Sequence, residues 1–564
     1  MSRRKPAPIP EDPAAAPCRS RLARLGRITP PGGRPGGVAK ALNHRRKVLS
    51  VAIQLPRARS VVANPTQDEL KGWTAQMPNA QHTEFDNYHV RARVTARSAG
   101  STFIVTNDPD SVSKQTMSRR DYVGVARRQE AYIAEQDMLL IEGYIGPENS
   151  PLKRPARLYI ERANANIPGM QQQLYYPKDA DWREDDALTV IYTPNCPAEG
   201  FSEERLVTID LENWVTRVFN IDYFGESKMG GLRMWMEWVY QQGALAMHSG
   251  AKVIPTDSGD KVGLIIGLSG TGKTTTTFTR QNDSLPVQDD IVALVAGGEV
   301  YSTENGCFAK TFGLDPQYEP TIYHALASPA GWLENVAVDD EGKVDFFDDS
   351  YTANGRGTFG LEAIEHFDPR KLGKANFLLI LNRNESVAPA VARMASVEQA
   401  VAYFMLGETK GTSAGGTAEA GKFLRVPGTN PFFMRSEDLQ GNRLAELIRS
   451  MDYDFGVYVL NTGRVGGGED VEGSKKVKIP HSSAIVKAIA EDTITWERDP
   501  DFGYLIATTV PDFDDPELLA PRRLYERLGR TEEYERAVEQ VKAERAEYMR
   551  EHSGLDQAVV EALT

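Results

Sequence analysis

The feature that most constrains this chain is fourteen residues long: V-G-L-I-I-G-L-S-G-T-G-K-T-T, Val262 to Thr275. Val262 to Ile266 is a short apolar run with β-branched residues, which reads as a buried strand. It leads directly into G-x-x-x-x-G-K-T, Gly267 to Thr274, the spacing of a phosphate-binding P-loop. Gly267, Gly270 and Gly272 are expected at positive φ, where they turn backbone N–H groups inward so that a phosphate chain can sit at the N-terminus of the next helix. Leu268, Ser269, Thr271 and Thr275 complete the loop and its exit. Lys273 supplies a point charge for the outer phosphates, and the Thr274 hydroxyl is placed to ligate the Mg²⁺ that bridges them.

Downstream, L-P-V-Q-D-D-I-V-A-L sets Asp289 and Asp290 at the end of a neighbouring apolar strand. A nucleotide-bound divalent cation needs such carboxylates, because hard cations choose oxygen ligands. Alone, an Asp pair is more often a solvated turn. The strand and loop upstream favour the metal reading.

The 564 residues are 41% hydrophobic and 25% charged, enough for a soluble protein with at least two domains. A net charge of −13 gives no reason to expect nucleic acid or an anionic membrane as partner; a small molecule is the expected one, and the oligomeric state is left open. Cys18, Cys196 and Cys307 are odd in number and far apart, so neither a disulfide framework nor a zinc site is expected. A reducing, cytoplasmic compartment fits. No run approaches the twenty apolar residues of a membrane span.

Residues 1–60 carry fourteen Lys/Arg against two acids among Pro, Gly and Ala clusters, and are expected to be a disordered basic extension. From about Gln67 to Ala244 strands (Ser101 to Thr106, Ala187 to Tyr192, Leu206 to Asp210) mix with helices such as Ser118 to Gln136, an α/β pattern. A helical stripe of Met234, Trp235, Trp238 and Val239 reads as core. Pro521 to Thr564 reads as an amphipathic surface helix.

Seven stretches in order carry a resemblance: Y-F-G-E-S-K-M-G, M-H-S-G-A, G-L-S-G-T-G-K-T-T, E-N-G-C-F-A-K-T, E-P-T-I-Y-H-A-L, L-E-N-V-A-V and V-L-N-T-G. With them the chain resembles the ATP-dependent phosphoenolpyruvate carboxykinases from roughly Arg97 to the 520s. The resemblance implies a two-domain α/β fold: an N-terminal substrate domain over 61–245 and a C-terminal nucleotide-binding domain over 246–564 that holds the P-loop, with the active site in the cleft between them. It implies that oxaloacetate loses CO₂ and the resulting enolate takes the γ-phosphoryl of ATP, with Mg²⁺ and Mn²⁺ as cofactors.

Such a reaction demands fixed positive charge around an enolate and a transferring phosphoryl. By resemblance, Arg97 holds the substrate carboxylate, Tyr223 stands beside substrate or CO₂, and Arg356 bridges substrate and phosphoryl. Lys228 matches the first of two adjacent lysines, and His248 binds the second metal with Asp290. Lys310 approaches the phosphates, Glu319 the ribose, and Lys476 and Val477 the adenine.

The chain also departs from the family. Met229 replaces the second lysine, a ligand to Mn²⁺, and a thioether is a poor ligand for a hard cation. Ala99 to Thr102 replace a charged loop, Ile291 and Val292 replace an acid and a histidine, and N-R-N-E-S at Asn382 to Ser386 replaces an apolar substrate-side segment. Three functions fit these residues: the carboxykinase, a kinase on the same fold with another small acceptor and no decarboxylation, and a nucleotide-binding module without turnover.

Overall fold

The Lys261–Ile266 strand is buried at every position but its first and is paired on both sides, antiparallel with Leu245–Ile254 and parallel with Ala375–Asn382. Pairing on both edges and cover on both faces explain its unbroken apolar run. The computed structural model describes residues 53–268, 270–410 and 422–563, and within them the fold is mixed α/β.

Three sheets dominate the described residues. A ten-stranded sheet contains Lys261–Ile266 near its middle and runs from Val300–Ser302 at one edge to Thr495–Arg498 at the other. A nine-stranded sheet holds the earlier strands, with Asp137–Ile145 and Arg154–Glu161 paired antiparallel over their whole length. A five-stranded sheet joins Ala80–His82 and Tyr88–Val90 to Trp332–Glu334, Arg356–Gly360 and Gly306–Lys310. That third sheet crosses residue 245, the boundary expected between the two domains. A core crosses it too, since Ala246, Ile291, Ala293 and Trp332 pack with Leu158, Tyr192 and Trp235.

The Phe224–Gln241 helix fills the space between these layers. Met234, Trp235 and Val239 are fully buried as the stripe requires, with Trp238 partly so. Glu226, Lys228, Arg233 and Glu237 on the same helix are buried as well, which an amphipathic reading does not anticipate. Their charges are paired inside: Arg233 with Glu226 at 2.9 Å, and Glu237 with Arg435. Such partners offset part of the cost of taking the charges out of water.

The expected strands appear as Thr102–Val105, Leu188–Thr193 and Leu206–Asp210, and the expected helix as Arg119–Ile133 with Ser118 as its cap. The C-terminal segment is not one helix but three, Pro521–Arg527, Thr531–Glu551 and Gln557–Glu561. Gly529 at φ +70° makes the first break. Part of the basic extension also needs correction. Most of it lies outside the described residues, but Ile53 and Leu55 pack on a core with Tyr159, and Arg157 Nη2 donates to the Ile53 carbonyl at 2.7 Å. A strand starts at Ser60.

Candidate functional site

The glycine-rich loop connects the Lys261–Ile266 strand to a six-residue helix, Lys273–Phe278. Gly270 and Gly272 have φ of +85° and +95°, as expected. Gly267 does not: it is absent from the left-handed region and is needed for space, because a Cβ there would lie 2.3 Å from Thr271 Oγ1 and 3.0 Å from Leu381 Cβ. The Thr271 hydroxyl that crowds it donates to the Leu268 carbonyl at 2.7 Å. Ser269 lies outside the described residues.

Beside the loop is a cavity of about 360 Å³. Arg97, Tyr223, Lys228, His248, Lys310 and Arg356 line it together with Lys273, Thr274, Thr275, Asp289, Asp290 and Glu319. Strand register explains part of this gathering. His248 lies opposite Ile291, which brings its ring to the Asp pair in the neighbouring strand connection.

Asp290 is the electrostatic centre. Its carboxylate takes Lys228 Nζ on Oδ2, and both Lys273 Nζ at 2.8 Å and His248 Nε2 at 3.0 Å on Oδ1. Burial raises its carboxyl, but Lys228, Lys273 and His248 outweigh burial and hold it well below the usual range. Lys228 also reaches Glu304 at 3.1 Å. Burial pushes the Lys228 amine down while Asp290, Glu304 and Asp289 pull it above its ordinary value. Glu304 is raised to about 7 by burial despite that lysine. Asp289 is likewise raised, first by burial; it has a hydrogen bond with the Cys307 thiol, while its buried Oδ1 has no hydrogen-bond partner.

The donor set suits cations at two places. Asp289 Oδ1 and the Thr274 hydroxyl are oxygen donors at the mouth of the loop, the chemistry a phosphate-bound hard cation takes. His248 has its Nδ1 2.9 Å from the Thr429 carbonyl, a contact that needs the proton on Nδ1. Burial and Lys273 lower its pKa against the opposing pull of Asp290, whose Oδ1 stands 3.0 Å from Nε2. A ring nitrogen and a carboxylate oxygen at that distance share either a proton or a cation. Met229, buried in the same lining, adds only a thioether. No group of three or more His, Cys, Asp and Glu is arranged for a metal among the described residues.

On the opposite wall, Arg356 bonds Asn354 Oδ1 at 2.9 Å, and its guanidinium carbon stands 5.2 Å from the Phe308 ring centre; its buried Nε has no partner. Arg97 lies 5.9 Å from the Phe432 ring centre. Its neighbour Ser98 donates N–H to Glu226 Oε1 at 2.7 Å, which ties the Arg97 loop to the buried helix. Burial and Arg356 lower the Lys310 amine. Burial raises the Tyr223 phenol. Glu319 accepts from the Thr275 hydroxyl at 2.7 Å.

A second cavity of about 180 Å³ opens on the other side of the loop, lined by Gly270, Thr275, Arg383, Thr462 and Val477 among others. Val477 therefore shares a cavity with the glycine loop. Lys476 is exposed and belongs to neither lining. Arg383 corrects the reading of N-R-N-E-S as substrate-side: its Nη1 donates to the Gly270 carbonyl at 3.2 Å, so the segment borders the glycine loop. Glu304, Phe308 and Cys307 were missed although E-N-G-C-F-A-K-T contains all three. Pro431 and Phe432 carry no sequence signal, because only the chain's return past His248 brings them in.

The fold and site thus define an α/β protein that sets five Lys/Arg side chains and three carboxylates around a glycine-rich loop. Residues 59–516 match the model of the phosphoenolpyruvate carboxykinase family, and the chain belongs to that family. It is 34% identical over 352 residues to the phosphoenolpyruvate carboxykinase (ATP) of Aeropyrum pernix, covering 59% of this chain and 67% of that one. It is 28% identical over 464 residues to phosphoenolpyruvate carboxykinase (ATP) 1 of Moorella thermoacetica, covering 78% and 85%. The corresponding protein of Alkaliphilus oremlandii is 27% identical over 457 residues, covering 77% and 83%.

Proposed function

We propose that this protein is an ATP-dependent phosphoenolpyruvate carboxykinase, converting oxaloacetate and ATP to phosphoenolpyruvate, ADP and CO₂, a step that serves gluconeogenesis in the cytoplasm. The observation that carries the reading is the single cavity in which Arg97, Tyr223 and Arg356 face Lys273, Thr274 and Asp290. In this reading the nine-stranded sheet belongs to the substrate side, the ten-stranded sheet with the P-loop to the nucleotide side, and the cavity to the cleft between them.

Each residue then has a task. Arg97 binds a carboxylate of oxaloacetate, and Arg356 spans substrate and γ-phosphoryl, since a planar guanidinium bonds two oxygens at once. Lys273 and Lys310 neutralise the phosphates, and Lys228 holds Asp290 in place. Decarboxylation leaves an enolate whose negative charge these cations stabilise, and the enolate oxygen attacks the phosphoryl in line. Thr274 and Asp289 would hold the Mg²⁺ of the nucleotide; His248 and Asp290 would hold a Mn²⁺. Bound there, the metals supply charge neutralisation of phosphate and enolate oxygens. The smaller cavity, with Val477, takes the base.

The departures favour a second reading, a kinase with another acceptor: Met229 leaves the second cation with two protein donors. One purified sample assayed for oxaloacetate-dependent phosphoenolpyruvate formation and for ATP hydrolysis decides. Hydrolysis without phosphoenolpyruvate overturns the carboxykinase, and neither activity leaves a binding module.

A further inference from the structure

Lys252 is a buried lysine that the reaction does not use. It lies on the Leu245–Ile254 strand, four residues beyond His248, and is 1% exposed. Among the described residues it has no carboxylate partner. Its Nζ donates to three neutral oxygens: the Thr276 carbonyl at 3.1 Å, the Thr279 carbonyl, and Gln281 Oε1 at 2.6 Å. Three acceptors match the three protons of an ammonium.

Two of those oxygens belong to the end of the Lys273–Phe278 helix and the residue that follows it. A cation at the carbonyl end of a helix is favourable and satisfies groups that have no partner within the helix. The helix is also pressed on this strand, since a Cβ at Gly250 would lie 2.2 Å from Thr277 Oγ1. The third oxygen leads elsewhere. Gln281 Nε2 donates to Ser483 Oγ at 3.1 Å, and Ser483 sits on the Ile479–Ala490 helix. Thr276, Thr279 and Gln281 line the smaller cavity on one side, and Ser482, Ser483 and Val486 on the other. One lysine amine thus grips the loop helix directly and the opposite wall through a single amide.

We propose that Lys252 is a positioning residue for the nucleotide, holding the helix after the glycine loop in register with the Ile479–Ala490 helix and so setting the width of the cavity between them. This rests on the reading of the smaller cavity as part of the nucleotide site. It concerns the nucleotide alone, so it can be tested without the acceptor.

The experiment measures MgADP binding by calorimetry at 25 °C on the full chain, in wild type, Lys252→Met, Ser483→Ala and the double variant, with Tm recorded for each. Loss of supporting contacts behind a binding group typically costs about 10-fold or more, and that is the weakening expected for Lys252→Met. Ser483→Ala should weaken binding less, and the double variant should be no worse than Lys252→Met, because both cut one chain of contacts. The KM for oxaloacetate should stay within about twofold, since Arg97 and Arg356 are on the other cavity. If Lys252→Met does not fold, Gln281→Leu, which cuts the link while leaving the helix carbonyls bonded, takes its place with the same expectation. Unchanged MgADP affinity with only a lower Tm overturns the proposal, as does strict additivity of the two substitutions. A wild type that binds no MgADP removes the nucleotide reading itself, a result separate from either.

Discussion

Asp290 shows how much of this site depends on single side chains: its carboxylate is shared by Lys228, Lys273 and His248, so each substitution there changes the charge the others feel. In the proposed function, Lys273→Ala removes the cation assigned to the outer phosphates and frees Asp290 to repel them. Phosphoryl transfer should fall by a factor on the order of 10³, measured as kcat/KM; full activity would take the loop out of the mechanism. Met229→Lys tests the departure from the family. The added amine should tighten Mn²⁺ and raise phosphoenolpyruvate formation about tenfold, because a lost ligand costs at least what lost outer support does. A Mn²⁺ titration of both proteins with no gain in affinity or rate would favour the kinase with another acceptor. His89, away from the cavity, gives the pH prediction. It is buried with neither ring nitrogen partnered, and burial, helped by Arg91, pushes it down to about 4. Between that value and the ordinary value of about 6.5 the unfolded chain binds a proton that the folded one refuses, so stability is intact above about 6.5 and lost as pH falls, by up to about 3 kcal/mol. His89→Leu should remove that share; parallel urea midpoints for both proteins from pH 7 to 4 would disprove it.

Among the elements, the glycine loop is the most legible and still held a surprise. Its spacing announced strand, loop and helix, and Gly270 and Gly272 are left-handed as the pattern requires. Gly267 is glycine for another reason, the close approach of Thr271 and Leu381, which a linear motif does not separate from a φ requirement. Gly267→Ala should therefore displace the Thr271 turn and weaken MgADP binding about tenfold or more, since the loop's N–H groups lose their aim. Binding at wild-type strength would show that the neighbours give way. Strands such as Leu206–Asp210 were readable because apolar periodicity reports burial. The C-terminal helices were read as one because their apolar spacing persists across Gly529, and only its left-handed turn stops the first helix.

For the whole molecule, residues 53–60 of the expected basic extension belong to the folded body. Ile53 and Leu55 contribute apolar contacts and Ile53 a carbonyl to the buried Arg157, so removal of residues 1–60 should lower Tm by several degrees relative to removal of residues 1–52. Equal Tm values for the two truncations would show that these contacts carry no stability. By itself the sequence determined the α/β class, the glycine-rich loop between strand and helix, the family and the residue types at the site, because these follow from local spacing and from motifs that keep their order along the chain. Only the tertiary structure decided which of them meet. It put Arg383 beside the glycine loop, left Lys476 outside, placed Met229 in the cavity, and joined Lys252 to two helices. The reason is that strand register and the packing of distant segments fix side-chain neighbours, and neither leaves a trace in spacing along the chain.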